Sequence, residues 1–142
     1  MRVVVAPDKF KGSVTARQVA DALAAGLRRG RPDLDIVEIP VADGGDGTVA
    51  AVLAAGFAPR HVRTEGPVGR PVSTTFAMRG STAVIELADV AGLRRLPAGR
   101  GAHELAPLTA STYGAGQVIA AALDGGASTI VVAPPSSAAA MT

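Results

Sequence analysis

The sequence has no cysteine and no tryptophan, and aromatic residues make up only 3% of its 142 positions. Without cysteine there is neither a disulfide nor a thiolate metal site, so the redox environment of the protein is left open. The core has to be built from Ala, Val, Leu and Ile. Scarce aromatic residues and a net charge of only +2 argue against nucleic-acid binding, which favours basic stripes interleaved with aromatic rings.

A long apolar span and a leader-like N-terminus are also missing from the sequence. The chain enters an apolar run at residues 3–5 almost at once. We therefore expect no signal peptide and no transmembrane helix, and we predict a cytoplasmic protein that binds neither nucleic acid nor membrane. With 48% hydrophobic and 18% charged residues, the composition is that of a globular chain with a substantial core.

The first half of the chain has the pattern of a parallel strand–helix–strand unit. An apolar strand at 2–6 is followed by a helix that begins near Thr15 and ends at Gly30, and then by a short strand at 36–39. The helix places larger apolar side chains at intervals of four, with alanines beside them, which predicts the face that packs on the sheet. These apolar residues are Val19, Leu23 and Leu27.

Between the first strand and the helix lies Ala-Pro-Asp-Lys-Phe-Lys-Gly-Ser at 6–13, which we call the lysine loop. Backbone N–H groups and the positive end of the helix dipole meet at such a point, which favours an anion site. Lys9 and Lys11 would add positive charge, whereas Asp8 could orient a lysine, hold a metal or take a proton. Phe10 is expected to anchor the loop by packing. The alternative is a solvated turn in which Ser13 caps the helix.

A second loop, Ala-Asp-Gly-Gly-Asp-Gly-Thr at 42–48, has acids in place of lysines and is called the glycine loop. Asp43 and Asp46 repel each other, and the glycines between them cost entropy on ordering, so a simple turn would not need this composition. Paired carboxylates suit Mg²⁺ shared with substrate phosphates, or a general base acting on an alcohol. The alternative is that Asp46 is only the N-cap of a helix at 48–55. We predict that the two loops face one phosphate-handling cleft.

After residue 60 the pattern changes to that of an antiparallel meander. Turn residues at 66–71 precede an alternating strand at 72–78 and a more buried strand at 82–87, and a last helix leads to a strand at 129–132. We predict domains at 1–65 and 66–132 with an irregular tail at 133–142. Glu86 and Asp89, at the end of a buried strand, could point into a cleft, but they are interpreted as solvated acids, which are commoner at strand ends.

A third candidate stretch, at 109–116, combines hydroxyls and glycines at the start of the last helix. Its N–H groups could bind an anion or a carboxylate. The alternative is ordinary capping by Thr109 or Ser111. Tyr113 is expected to pack, and the two histidines, His61 and His103, are interpreted as surface or loop residues.

Taken together, these motifs resemble the bacterial type-I glycerate kinase family. The matching stretches are the lysine loop, the glycine loop, Gly-Pro-Val-Gly-Arg-Pro-Val at 66–72, Ala-Val-Ile-Glu-Leu-Ala at 83–88 and Ser-Thr-Tyr-Gly-Ala-Gly at 111–116. The resemblance implies an α/β fold: a Rossmann- or flavodoxin-like parallel sheet with part of a second, mixed or antiparallel α/β module. It also implies transfer of the ATP γ-phosphate to glycerate, giving 2-phosphoglycerate, with Mg²⁺.

Carried over to this sequence, the family implies roles for the loop residues. Lys11, Asp43 and Asp46 would be catalytic, with Asp43 and Asp46 also holding Mg²⁺. Substrate and phosphate would be bound by residues of all three loops, namely Asp8, Lys9, Lys11, Ser13, Gly44, Gly45, Gly47, Thr48, Thr112, Gly114 and Gly116.

The resemblance ends near Val132 in this comparison. Family members continue with a Gly-Gly-Ser loop and a long remainder, whereas this sequence reads Ala-Pro-Pro-Ser-Ser at 133–137 and stops at Thr142. We therefore expect a truncated chain, incomplete relative to the family, with apolar edges exposed and doubtful activity on its own. The alternatives are a non-catalytic phosphate- or nucleotide-binding module and a non-functional fragment.

Overall fold

The computed structural model describes residues 1–8, 10, 13–39, 41–42, 44–96 and 108–134. Contacts divide the chain into two compact units, a first unit at Met1–Asp43 and a second unit at Gly44–Thr142. In the described parts of the chain, no helix has the length and apolar character needed to cross a membrane.

The first unit is the predicted strand–helix–strand arrangement. Strands β1 (Arg2–Val5) and β2 (Asp35–Glu38) are parallel, and helix α1 (Ala16–Gly30) connects them. Helix α1 starts at a capping box: Thr15 Oγ1 accepts a hydrogen bond from the Gln18 backbone N–H, and Gln18 Oε1 accepts one from the Thr15 N–H at 2.8 Å. The helix cap is therefore Thr15, whereas Ser13 donates its hydroxyl to the Phe10 carbonyl.

The apolar packing of the first unit differs from the prediction. Helix α1 buries Ala20 and Ala24 completely, while Leu23 and Leu27 are 50% and 37% exposed. Small side chains let the helix backbone approach the sheet closely, so the alanine stripe, and not the leucine stripe, makes the contact. Strand β1 likewise buries Val5 but leaves Val4 exposed, because alternate side chains point to opposite faces and the described part of this unit has only one helix to cover them.

The end of α1 is held by an exposed ion pair. Arg31 Nε and Nη2 donate to the two carboxylate oxygens of Asp33 at 2.9 and 3.0 Å. This pairing holds the pKa of the Asp33 carboxyl below its usual value. Exposed pairs of this kind add little to stability.

The second unit is built on a four-stranded mixed sheet in the order β3-β4-β5-β6. The first two pairings are antiparallel, as the meander pattern predicted, and β5 pairs with β6 in parallel. The strands are β3 (Ala58–Glu65), β4 (Pro71–Arg79), β5 (Thr82–Glu86) and β6 (Thr129–Ala133).

The strand pairing also bears on the predicted division of the chain. Strand β3 pairs with β4 along its whole length, and contacts group residues 58–65 with the second unit, which begins at Gly44. Ala133, which was placed in the predicted tail, is the last residue of β6. Residues 135–142 of that tail lie outside the described residues.

Helices cover both faces of the second unit's sheet. They are α2 (Thr48–Ala54), α3 (Leu87–Ala91), a 3₁₀ turn (Leu93–Arg95) and α4 (Tyr113–Asp124). Phe76 and Met78 of β4 pack on the side of α3 and α4, whereas Ala77 packs with Val49 of α2 on the other side. The alternation predicted for β4 is therefore confirmed, and it fixes α2 and the glycine loop that precedes it against the sheet.

Candidate functional site

Of the lysine loop, only part falls within the described residues. Lys9, Lys11 and Gly12 lie outside them, so the two predicted clamps stay predictions. Phe10 and Val14 form an isolated bridge, with the Ser13 N–H donating to the Phe10 carbonyl at 3.1 Å. The Phe10 side chain is 61% exposed, so the expectation that it anchors the loop by packing is wrong. Asp8 is exposed at the carboxyl end of β1, where the strand–loop–helix pattern placed it.

The described part of the glycine loop has a conformation that only glycine adopts readily. Gly44 and Gly47 have φ values of 93° and 97°, in the left-handed region. Thr48 closes the turn, since its hydroxyl and its N–H donate to the Gly45 carbonyl at 2.8 and 3.2 Å. The N-cap of α2 is Gly47, so the alternative in which Asp46 is that N-cap is wrong. Asp43 lies outside the described residues.

A buried glutamate that the sequence analysis interpreted as solvated holds this loop. Glu86, the last residue of β5, is only 6% exposed. Its Oε2 accepts hydrogen bonds from the N–H groups of Gly47 and Val49, each at 3.1 Å. The first N–H groups of a helix have no partner within the helix, and a carboxylate is the group that the helix dipole favours there. An acid that ends an otherwise apolar strand was the signal in the sequence, because a buried carboxylate needs such donors.

The same glutamate is connected to the candidate acid Asp46 by an arginine. Arg94 Nη2 lies 3.3 Å from Asp46 Oδ1 and 3.9 Å from Glu86 Oε1. The Asp46 side chain is 38% exposed and that of Arg94 is 64% exposed, so both reach solvent. No motif in the sequence indicated that Arg94 would lie beside Asp46.

A second arginine–carboxylate pair secures the 3₁₀ turn that carries Arg94. Arg95 Nη2 donates to Asp89 Oδ1 at 2.5 Å and to the Ser73 carbonyl at 3.1 Å. The buried Thr74 donates its hydroxyl to Asp89 Oδ2 at 2.6 Å. Asp89, also interpreted as a solvated acid, is therefore part of the scaffold that links α3 to β4.

These bonds change what the glycine loop can offer to an anion. The predicted phosphate cradle depends on free N–H groups at residues 44–48. The N–H of Gly47 already donates to Glu86, and the N–H and hydroxyl of Thr48 donate to Gly45. Phosphate binding by Gly44, Gly45, Gly47 and Thr48 stays a prediction. The Asp46 side chain is 38% exposed and lies beside Arg94.

At the third candidate stretch the structure gives capping and packing roles. Ser111 Oγ accepts from the Tyr113 N–H at 3.0 Å, as the capping alternative expected, and Thr112 occupies the N-cap position of α4. Tyr113 is 63% exposed, which is contrary to the expectation that it packs. Thr109, the first residue of this stretch, is exposed. Binding of substrate or phosphate by Thr112 stays a prediction.

The two glycines of this stretch have opposite surroundings. A Cβ placed on the buried Gly114 would lie 1.8 Å from the Glu65 carbonyl oxygen. The close contact between α4 and β3 at this point therefore requires glycine. Gly116 is exposed, and a Cβ there would meet nothing within 4 Å. The Glu65 N–H donates to Gln117 Oε1 at 2.8 Å, which strengthens the same α4–β3 contact.

Taken together, these features define an α/β protein whose strand ends and helix starts carry a lysine-rich loop and a glycine-rich acidic loop. Loops of this kind between strands and helices are common where phosphorylated ligands are handled. The sequence model of the Glycerate kinase family matches residues 3–140, and the chain belongs to this family. The match continues beyond Val132, where the resemblance was expected to end.

Individual relatives agree with the family match. The chain is 41% identical to the glycerate 2-kinase of Escherichia coli K12 over 131 residues, which is 90% of this chain and 33% of that protein. It is 42% identical to the glycerate kinase of Bacillus subtilis 168, over 89% of this chain and 33% of that protein. A crystal structure of a protein described as glycerate kinase 2 from Salmonella typhimurium LT2 superposes with a TM-score of 0.74 at 38% identity, covering 94% of this chain and 36% of that one. The chain thus spans about a third of the length of these relatives.

Proposed function

We propose that this chain has the function of a glycerate kinase. Such an enzyme transfers the γ-phosphoryl group of ATP to a hydroxyl of glycerate and releases ADP and 2-phosphoglycerate. The observation that carries the proposal is the glycine loop, which presents Asp46 at the surface in a fixed position between Arg94 and the start of α2. Membership of the Glycerate kinase family and the names of the relatives supply the substrate class.

The reaction needs little covalent chemistry from the protein, because phosphoryl transfer is catalysed mostly by positioning and by stabilising charge. We assign the phosphate charge to the side chains of Lys9 and Lys11, with Asp8 and Ser13 as further ligands in the lysine loop. Gly44, Gly45, Gly47 and Thr48 are proposed as further phosphate-binding residues, although the N–H groups of Gly47 and Thr48 donate within the chain here.

Asp43 and Asp46 are proposed to act on the metal or on the acceptor alcohol. Mg²⁺ takes oxygen ligands and is usually held by one or two carboxylates together with substrate phosphates and water. Within the described ranges no three side chains of His, Cys, Asp or Glu form a metal-binding group. In this proposal the protein contributes the carboxylates of Asp46 and of Asp43, three residues earlier, as metal ligands, and ATP contributes phosphate oxygens. When bound, Mg²⁺ would neutralise charge on the transferred phosphoryl group.

Glycerate-dependent release of ADP from Mg·ATP tests the proposal, with the phosphorylated hydroxyl identified by ³¹P NMR of the product. Asp46→Asn is expected to lower kcat/KM by about 100-fold or more, as for loss of a group that acts on the reacting atoms. The matched control is Asp21→Asn, which breaks the exposed Asp21–Arg17 pair of α1 and should leave the rate unchanged. Lys11→Ala should raise KM and lower kcat/KM; unchanged kcat/KM would remove Lys11 from the proposed clamp.

Two outcomes would replace the kinase proposal. A thermal shift with Mg·ATP but no turnover would identify a nucleotide-binding module, because a ligand that binds only the native state raises the melting temperature. A broad, non-cooperative melt without any ligand response would identify a chain that does not function alone. Since ATP is the phosphoryl donor and glycerate is a small molecule, we place the proposed activity in the cytoplasm.

A further inference from the structure

Glu86 is the one charged side chain that is buried among the described residues. Burying a carboxylate is costly unless it is hydrogen-bonded, so its partners show why it is tolerated. Both partners found for its Oε2 are backbone N–H groups at the junction of the glycine loop and α2, at Gly47 and Val49. Strand β5 lies inside the sheet between β4 and β6, which makes Glu86 a fixed point from which the loop is held.

The glycine loop needs such a fixed point. Glycines have more conformations to lose on ordering than other residues, and Gly44 and Gly47 both occupy the left-handed region. Helix α2 has only seven residues, a length at which a helix is not stable by itself. Two hydrogen bonds from its first turn to a carboxylate in the sheet therefore set both the conformation of the loop and the start of the helix.

The two oxygens of Glu86 face different groups. Oε2 accepts from the loop backbone, whereas Oε1 lies 3.9 Å from Arg94, whose Nη2 is 3.3 Å from Asp46 Oδ1. Arg95, the next residue, is bonded to Asp89 and Ser73 and so holds the turn that carries Arg94. The direction of the Asp46 carboxylate is thus tied to the sheet by the loop backbone and by a guanidinium.

We propose that Glu86 is a positioning residue for the glycine loop, which acts through the N–H groups of Gly47 and Val49 and through Arg94 to hold Asp46 in its working orientation. The assignment to catalysis rests on the proposed kinase function, whereas the effect on the loop does not. Glu86 itself touches neither substrate nor metal in this scheme.

Hydrogen exchange of individual backbone amides in the full 142-residue chain tests the positioning directly. Glu86→Met keeps the length of the side chain but removes the acceptor, so exchange at Gly47 and Val49 should accelerate about tenfold relative to the amides of Val118 in α4. Glu86→Gln keeps one carbonyl acceptor and should accelerate exchange less. The matched control is Asp21→Asn, which breaks the exposed Asp21–Arg17 pair of α1 and should leave the two loop amides unchanged.

The proposal is overturned if Glu86→Met changes exchange at Gly47 and Val49 no more than at Val118, or if Asp21→Asn has the same effect on them. Should circular dichroism show that Glu86→Met is unfolded, Glu86→Gln decides: faster exchange confined to the loop supports positioning, and unchanged exchange contradicts it.

Activity separates this inference from the proposed function. In a chain that turns over, Glu86→Gln should lower kcat about tenfold with little change in KM for ATP, because the binding groups remain and only the orientation of Asp46 is lost. Faster loop exchange in a chain without turnover would support positioning and count against the kinase. Normal turnover with unaltered kcat in Glu86→Gln would support the kinase and count against positioning.

Discussion

Two glycines in α4 offer a sharp test of the packing described for the second unit. Gly114 and Gly116 are two residues apart in one helix, and both were predicted from the sequence to line a binding cleft. The structure separates them, because Gly114 touches β3 and Gly116 faces open space. Replacing each by alanine should therefore change the free energy of unfolding in opposite directions.

The magnitudes follow from the distances. The added Cβ at residue 114 would lie 1.8 Å from the Glu65 carbonyl oxygen and 2.9 Å from its carbon, so α4 has to move away from β3. Such overpacking costs about 1–3 kcal/mol. The movement also strains the bond from the Glu65 N–H to Gln117 Oε1. At residue 116 alanine is the better helix former and should stabilise by about 0.5–1 kcal/mol.

Urea denaturation of the two variants and the parent chain measures this difference. A lower midpoint for Gly114→Ala and a higher one for Gly116→Ala, with similar slopes, is the expected result. Equal midpoints for the two variants, or a Gly114→Ala chain as stable as the parent, would refute the close approach of α4 to β3.

Four further substitutions test other contacts by the same denaturation assay. Thr64→Val should leave the stability unchanged or raise it by up to about 1 kcal/mol, because the buried Thr64 hydroxyl has no hydrogen-bond partner in the part of the chain that the structure describes. A clear loss of stability would show that the hydroxyl does have a partner. Thr15→Ala should cost about 1 kcal/mol through loss of the α1 capping box, and no loss would contradict that cap. Arg95→Ala should lower the free energy of unfolding by about 1–3 kcal/mol, because Arg95 is 27% exposed and makes several hydrogen bonds. Arg94→Ala should lower it by less than about 1 kcal/mol, because Arg94 is 64% exposed. A larger loss for Arg94→Ala than for Arg95→Ala would contradict the scaffold role of Arg95.

Periodicity was sufficient to predict the course of the chain. Apolar runs and turn residues predicted the parallel β1–α1–β2 unit and the antiparallel pairing of β3, β4 and β5. The alternation in β4 predicted side chains on both faces of the sheet, but it did not predict the parallel pairing of β5 with β6. These patterns reflect local geometry, since a strand alternates every two residues and a helix repeats every 3.6. They say which side of an element is apolar, but not which neighbour covers it.

The sequence patterns did not predict contacts between residues that are far apart in the chain. The preference of α1 for Ala20 and Ala24 depends on how near the helix comes to the sheet, and the need for glycine at residue 114 depends on the Glu65 carbonyl. Glu86 looked like a solvated acid because its donors lie 37 and 39 residues earlier in the chain.

The sequence predicted which residues make up the candidate site, but it did not predict the hydrogen bonds that they form. The glycine loop was recognised as chemically unusual, but its N–H groups at Gly47 and Thr48 proved to be engaged within the chain. Asp46 remains the exposed acid, now with Arg94 beside it. That the lysine loop and the glycine loop serve the same ligand stays a prediction.

Backbone amide shifts of the ¹⁵N-labelled chain during titration with Mg·ATP test the central claim, that the lysine and glycine loops together handle phosphate. The account predicts saturable shifts concentrated at residues 6–13 and 42–48, weakened in both loops by Lys11→Ala. Saturable shifts confined to residues outside both loops, or no saturable shift at any residue, would contradict the account.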